Sequence, residues 1–121
     1  MATTNTHAIK PGDIFKGTWG YNHTNVEFFQ VVSVSDVCVR IREVAPAIIK
    51  RNRINSVMEH RTYDINSKEL PPIPYSVWIK DNKCGDRKKL HYDRNVPYII
   101  VGNVPAQLMP AGKHVTIVSC N

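Results

Sequence analysis

Apolar and polar residues alternate along much of the chain, at the two-residue period of β-strands. The clearest example is residues 37–44, where three apolar side chains fall on one face while Cys38, Arg40 and Arg42 fall on the other. Residues 26–34, rich in Val and Phe and poor in helix formers, precede this segment across a short turn. The two segments together predict a β-hairpin.

Further short strands are predicted at close spacing, with Pro and Gly residues between them. They are residues 14–19, 53–65, 75–80, 87–92, 96–101, 104–109 and 114–119. We expect residues 87–92 to return as the partner of 75–80. This pattern predicts an all-β fold, as a small, partly open barrel of the SH3-like kind. An OB-like barrel and a small sandwich are the alternatives.

Residues 46–59 also admit one short helix, because Pro46 suits a first helical turn and Ala47, Ile54 and Met58 fall on one side. The β-branched residues and asparagines of this segment favour turns or extended structure instead. We therefore predict a loop that leads into the strand at residue 53, with the helix as the alternative. The proline-rich residues 70–74 are expected to be stiff and extended, on the surface or at a sheet edge.

The length of 121 residues suits a single domain with a substantial core. We expect a flexible tail at residues 1–10 and one β-barrel domain at residues 11–121. The apolar runs are too short to span a membrane, and the first residues lack the apolar core of a signal peptide. Three widely spaced cysteines fit a reducing cytosol better than a disulfide framework. A cytoplasmic protein with no membrane partner is therefore expected.

The formal net charge of +6 is concentrated in two segments. Residues 40–61 carry six basic side chains against two glutamates, and residues 80–94 carry six against three aspartates. If the two segments meet in space, they favour an anionic partner, with nucleic acid as the first candidate; a merely solvated face is the alternative. The predicted contact residues are Arg40, Arg42, Arg51, Arg53, Lys83, Arg87, Lys88 and Lys89, with Tyr92 as an exposed ring for base stacking.

Residue spacings typical of metal sites and of catalysis are missing from the sequence. The five histidines and three cysteines contain no Cys-x-x-Cys and no His-x-x-x-His. Cys38 and Cys120 have no neighbour in sequence that would activate a thiol, and no glycine-rich phosphate loop occurs. Glu27 lies among the carboxylates of the first hairpin, but no acidic pair stands out. We expect a non-enzymatic protein with no catalytic residue, no metal and no cofactor.

Residues 18–32 read Thr-Trp-Gly-Tyr-Asn-His-Thr-Asn-Val-Glu-Phe-Phe-Gln-Val-Val, and residues 12–15 before them read Gly-Asp-Ile-Phe. This stretch resembles a signature of small uncharacterised phage and mobile-element proteins. The signature runs Ser/Thr-Trp-Gly-Tyr-x-Gln-Thr-Asn, an apolar residue, any residue, two aromatics and Gln-Val. His23 stands where the family more often has Gln. The residues of the signature loop are Trp19, Tyr21, His23 and Asn25.

The resemblance implies a phage or mobile-element protein that acts inside a bacterial host cell. Small accessory proteins of this kind bind nucleic acid or block a host nucleoprotein. The leading hypothesis is a protein that binds nucleic acid or a nucleoprotein complex through its basic face. The alternative is a protein-binding inhibitor of a bacterial defence system, of the anti-CRISPR or anti-restriction type. It would dock through residues 21–25 and a sheet edge.

Overall fold

A computed structural model describes residues 9–19, 25–54, 58–64, 70, 72–109 and 114–120. These residues form ten β-strands, and no helix occurs among them, so the predicted all-β class is confirmed. The strands are β1 (Ile14–Trp19), β2 (Asn25–Val34), β3 (Cys38–Val44), β4 (Ile48–Arg53), β5 (Met58–Asp64), β6 (Asp86–Lys89), β7 (His91–Asp93), β8 (Val96–Val101), β9 (Val104–Leu108) and β10 (His114–Cys120).

Seven strands form one antiparallel sheet in the order β6-β3-β2-β1-β9-β8-β7. The two end strands, β6 and β7, are separated in the chain by Leu90 alone. One continuous stretch of chain therefore forms both ends of the sheet, with β6 paired to β3 and β7 paired to β8. The sheet curls round on itself, which confirms the prediction of a small, partly open β-barrel.

The barrel interior is filled by the inward-facing residues of this sheet. Phe15, Phe29, Ile41 and Ile99 are almost completely removed from solvent. Burying a side chain of this size stabilises the fold by about 1.5–3 kcal/mol.

The alternation predicted for β3 is confirmed for Val39 and Ile41, which enter this core while Arg40 and Arg42 on the opposite face stay half-buried. The prediction is wrong for Val37, which lies in the turn before the strand and is 60% exposed.

A second antiparallel sheet, in the order β10-β5-β4, contacts the outer face of the barrel. The contact is made by Ile14, Phe28 and Val44 from the barrel and by Tyr63 from β5. The rings of Phe28 and Tyr63 lie 4.9 Å apart between centroids. β2 is thus apolar on both faces, because Phe28 contacts the second sheet and Phe29 the barrel interior.

The helix considered for residues 46–59 is wrong for the described part of that segment, which contains β4 and the start of β5. The predicted loop before residue 53 is also wrong, because Ile48–Arg53 is a strand. The physical reason is the long antiparallel pairing of β4 with β5, in which Ile48 lies opposite Tyr63. The β-branched residues of β4 are therefore stabilised by pairing with a neighbouring strand, which the sequence of this segment alone does not reveal.

The strand predicted at residues 75–80 is also wrong, since this segment forms bends and turns. The hydroxyl of Ser76 accepts hydrogen bonds from the backbone N–H groups of Trp78 (3.1 Å) and Ile79 (2.9 Å). A side-chain acceptor of this kind competes with the ladder of a β-sheet. As a result, residues 87–92 pair with β3 and β8 rather than with 75–80.

Two shorter segments border the barrel. The predicted tail lies outside the described residues except for Ile9, which packs against the barrel core, and Lys10, whose Nζ forms a salt bridge of 3.2 Å with Asp13. In the proline-rich segment, Pro72 forms an isolated bridge with Val44, as expected for a stretch at a sheet edge. A search of the described residues for a helix long and apolar enough to cross a membrane finds none.

Candidate functional site

The pairing of β3 with β6 brings the two basic segments together. Arg40 lies directly opposite Arg87, and Cys38 lies opposite Lys89. Arg87 and Lys89 are exposed, while Arg40 and Arg42 are half-buried. Side chains alternate between the two faces of a strand, and Val39 and Ile41 of β3 point into the core. The basic side chains therefore share the outer face of the barrel. We call Arg40, Arg42, Arg87 and Lys89 the basic strip.

The basic strip has no ion pair with a carboxylate of the described residues. Arg40 is held in place because its Nη1 donates a hydrogen bond of 2.8 Å to the backbone carbonyl of Gly85. Like charges directly opposite each other on paired strands are unfavourable. A bound anion would relieve this repulsion.

A shallow depression of about 230 Å³ lies on the basic strip. Its lining includes the guanidinium-bearing Arg40 and Arg87 and the hydroxyl-bearing Ser33 and Ser35. The Ser35 hydroxyl also donates to the carbonyl of Cys38 at 3.2 Å. Arginine is a donor type that contacts phosphate oxygens in nucleic-acid complexes. The two arginines could therefore pair with an anion in this depression, whereas the proton of Ser35 is already donated to Cys38.

Three other predicted contact residues lie outside the basic strip, on β6, on β7 and in the turn before β6. Lys83 is exposed in the turn that precedes β6. Lys88 lies on β6 opposite Val39, on the half-buried side of that strand, so the structure does not place it with Arg87 and Lys89. Tyr92 lies on β7 and is 53% exposed, as expected for this ring.

The remaining predicted arginines belong to the second sheet. Arg51 and Arg53 are exposed on β4, and the structure therefore does not bring them onto the basic strip. Oε1 of Glu59 contacts Nε of Arg61 at 2.6 Å and Nη1 of Arg51 at 3.4 Å. The hydrogen bond from Arg61 lowers the pKa of Glu59. This carboxylate offsets part of the positive charge on the second sheet.

The predicted signature loop lies mostly outside the described residues, which include neither Tyr21 nor His23 and do not describe the side chain of Asn25. Trp19 ends β1 and is 41% exposed. Its ring packs edge-to-face on Trp78 at 5.5 Å, and its Nε1 donates to Oε1 of Glu27 at 3.2 Å.

The half-buried Glu27 that accepts from Trp19 also interacts with a buried carboxyl group, that of Glu43. Glu43 is only 5% exposed, and its Oε1 accepts a hydrogen bond of 2.5 Å from the hydroxyl of Ser76. Burial, together with a hydrogen bond to Glu27 on the neighbouring strand, raises the pKa of Glu43 to about 8, although the hydrogen bond from the Ser76 hydroxyl acts to lower it. The raised pKa favours the protonated form of Glu43, which has a proton to donate to the carboxylate of Glu27.

In the sequence, Glu43 is one of the two glutamates of the first basic segment, and its burial was not predicted. The signal that would have found it is the alternation of β3, which puts Glu43 on the same face as the buried Val39 and Ile41. Asn82 then fixes its backbone, since Oδ1 accepts from the Glu43 N–H at 2.6 Å and Nδ2 donates to the Glu43 carbonyl at 3.0 Å.

No group of three or more His, Cys, Asp or Glu side chains is placed to hold a metal ion in the part of the chain that the structure describes. Comparison with known proteins identifies no relative: no family model matches the chain, and neither a curated protein nor a solved structure matches it significantly. The function must therefore be inferred from the geometry of the site.

Proposed function

We propose that this protein binds nucleic acid, alone or within a nucleoprotein complex, through the basic strip. The observation that carries the proposal is the pairing of Arg40 with Arg87, which concentrates positive charge that has no ion pair with a carboxylate of the described residues. The resemblance of residues 12–32 to phage and mobile-element proteins supports a setting inside a bacterial cell. The proposed role is non-enzymatic.

The strip is short, and its size sets the strength of the expected interaction. Arg40 and Arg87 lie side by side on paired strands, and Lys89 follows Arg87 about 7 Å further along β6. Four cations that neutralise up to four phosphates give a slope of log affinity against log salt of about −3. Binding of this kind is electrostatic and largely independent of base sequence.

The test is fluorescence anisotropy with short single- and double-stranded DNA and RNA across a salt series. The decisive variant is Arg87→Glu plus Lys89→Glu, because both side chains are exposed and neither supports the fold through a hydrogen bond in the described region. Lys50→Glu plus Arg53→Glu is the matched control, with the same change in charge on the exposed β4. We expect the first variant to weaken binding about tenfold or more and to flatten the salt slope by about 1.5.

The control variant should retain most of the affinity. Equal losses in the two variants would mean that the total charge, and not the basic strip, attracts the nucleic acid. Absence of binding by the unaltered protein even at low salt would contradict the proposal outright. Arg40 is unsuitable for this test because its hydrogen bond to Gly85 also holds the turn before β6.

Two exposed apolar side chains favour a second candidate function, inhibition of a bacterial defence complex by protein contact. Tyr75 and Val77 are 77% and 74% exposed and flank the inward-facing Ser76. Rings and aliphatic side chains of this exposure are common at protein interfaces. The test is binding to purified, nuclease-treated CRISPR and restriction complexes, with Tyr75→Ser plus Val77→Ser as the variant. A folded variant that keeps full binding would rule out this surface.

A further inference from the structure

A β-bulge in β2 opens a cavity beside the basic strip. The register between β2 and β3 shifts between Val31 and Ser33, so that Gln30 lies opposite Arg42 and Ser33 opposite Arg40, with Val32 as the extra residue. Bulges interrupt the hydrogen-bond ladder and redirect side chains. A cavity of about 240 Å³ lies at this position, with Val32 and Arg42 in its wall.

Most polar groups in the wall of the cavity are already paired. The side chain of Gln30 donates through Nε2 to the Gly12 carbonyl at 3.0 Å and accepts through Oε1 from the Leu70 N–H at 2.7 Å. The N–H of Gly12 donates to the carbonyl of Val31 at 2.9 Å. These bonds fix the shape of the cavity and leave its wall few donors for a ligand.

Arg42 is the exception. Its Nε is buried and has no hydrogen-bond partner among the described residues. A buried donor of a charged group without an acceptor is unfavourable, so the guanidinium of Arg42 is incompletely paired within the described protein. Arg42 lines the cavity, and a guanidinium presents parallel N–H groups that match the two oxygens of a carboxylate. Arg42 is also the only cationic side chain that lines the cavity in the described part of the chain.

The rest of the wall specifies the other part of the ligand. Pro11, Val32, Val44 and Leu70 provide apolar surface. A phosphate dianion would need several donors and gains nothing from these side chains, whereas an apolar group attached to a carboxylate gains from both. At about 30 Å³ for each water molecule, the volume corresponds to about eight waters, the size of a small acyl or aryl group.

We propose that this cavity binds a small organic carboxylate, whose oxygens accept hydrogen bonds from Arg42 and whose apolar group lies against Val32, Val44 and Leu70. This site is additional to nucleic-acid binding and does not depend on it. Arg42 also belongs to the basic strip, so the test uses changes that leave Arg87 and Lys89 intact.

The experiment is a titration of the ¹⁵N-labelled protein, followed by backbone amide shifts at constant ionic strength. The probes are hexanoate and benzoate, with hexanamide, benzamide and inorganic phosphate as controls. We expect the two carboxylates to bind with a dissociation constant of about 1 mM or tighter and to shift the amides of Val32, Arg42 and Val44. The neutral amides should bind about tenfold more weakly, since they lack the charge that Arg42 requires.

Arg42→Met removes the guanidinium but retains an unbranched side chain, and it should weaken carboxylate binding about tenfold or more. Arg87→Met is the matched control and should bind both carboxylates as the unaltered protein does. Val32→Phe fills the cavity without touching the charge, which covers the case that Arg42→Met fails to fold, and it should abolish binding.

Three results would overturn the proposal: equal binding of carboxylates and their amides, phosphate binding as tight as benzoate binding, or full hexanoate binding by a folded Val32→Phe protein. Failure of this site is distinguishable from failure of the basic strip. The strip is tested separately through Arg87→Glu plus Lys89→Glu, with nucleic acid as the ligand.

Discussion

Replacing Glu43 with Gln removes one ionisable group from the buried end of the barrel while keeping its size and its acceptor for the Ser76 hydroxyl. The pKa of Glu43 is raised from 4.5 to about 8 in the folded protein. Between these values the folded state holds a proton that the unfolded state releases. Stability therefore falls as the pH rises through this interval, by an amount on the order of a few kcal/mol.

The direction of this effect follows from the proton balance. An acid whose pKa is higher in the folded state stabilises the fold while it is protonated, so the free energy of unfolding decreases as the pH rises from 4.5 to about 8 and is level outside that window. Glu59 and Asp81 act in the opposite direction, because hydrogen bonds lower their pKa values. Their contributions are lost only as the pH falls below about 4.5. Between pH 5 and 8 the lowered pKa values of Glu59 and Asp81 therefore add no pH dependence, and the comparison with Glu43→Gln identifies the contribution of Glu43.

The assay is urea unfolding, followed by tryptophan fluorescence at pH 5, 6, 7, 8 and 9. We expect the unaltered protein to lose stability from pH 5 to 8 and Glu43→Gln to show a much flatter profile and the greater stability at pH 8. Asp36→Asn, which changes an exposed carboxylate in the β2–β3 turn, is the control and should follow the unaltered protein. Parallel profiles of the unaltered protein and Glu43→Gln from pH 5 to 8 would refute the reasoning.

Three further predictions concern single positions. Ile99→Ala should lower the free energy of unfolding, measured by urea denaturation, by about 2–5 kcal/mol, because Ile99 is 0% exposed. The control Ile100→Ala, on the exposed face of the same strand, should cost less than about 1 kcal/mol. Gly85→Ala should cost about 1–3 kcal/mol in the same assay, since Gly85 has a φ of +89° and an added Cβ would lie 2.8 Å from the carbonyl oxygen of Ile41; unchanged stability would contradict this account of the turn. Tyr92→Ala should leave stability within about 0.5 kcal/mol and weaken single-stranded DNA binding by about 1–3 kcal/mol in anisotropy; full affinity would exclude this ring from the interface.

The parts of the fold that local pattern determines were predictable from the sequence. The bounds predicted for the strands at residues 14–19 and 96–101 are those observed. The hairpin of β2 and β3 was predictable because Val39 and Ile41 alternate with polar residues, and its strands need no distant partner to define their inner face. The outward position of Arg40 follows from the same alternation.

The features that decide the site depend on contacts between distant residues. The pairing of Arg40 with Arg87 joins segments that are far apart in sequence. The distribution of charge therefore indicated two basic segments, but it did not indicate that their strands pair. Residues 75–80 look like a strand, yet the Ser76 hydroxyl takes backbone N–H groups that a strand would use. The β-bulge beside the cavity could not be predicted from the residues around it, because Val31, Val32 and Ser33 are all compatible with a regular strand.

The charges on β4 have a consequence for how copies of this protein meet. β4 is at an edge of the second sheet, where an unpaired backbone ladder is open to a strand from another molecule. Lys50, Arg51 and Arg53 are all exposed along it, so two such edges that approach each other carry facing rows of cations. This repulsion acts over about 10 Å at 0.1 M salt and about 3 Å at 1 M. Because added salt shortens the range of this repulsion, free copies should associate through β4 more readily at 1 M than at 0.1 M salt.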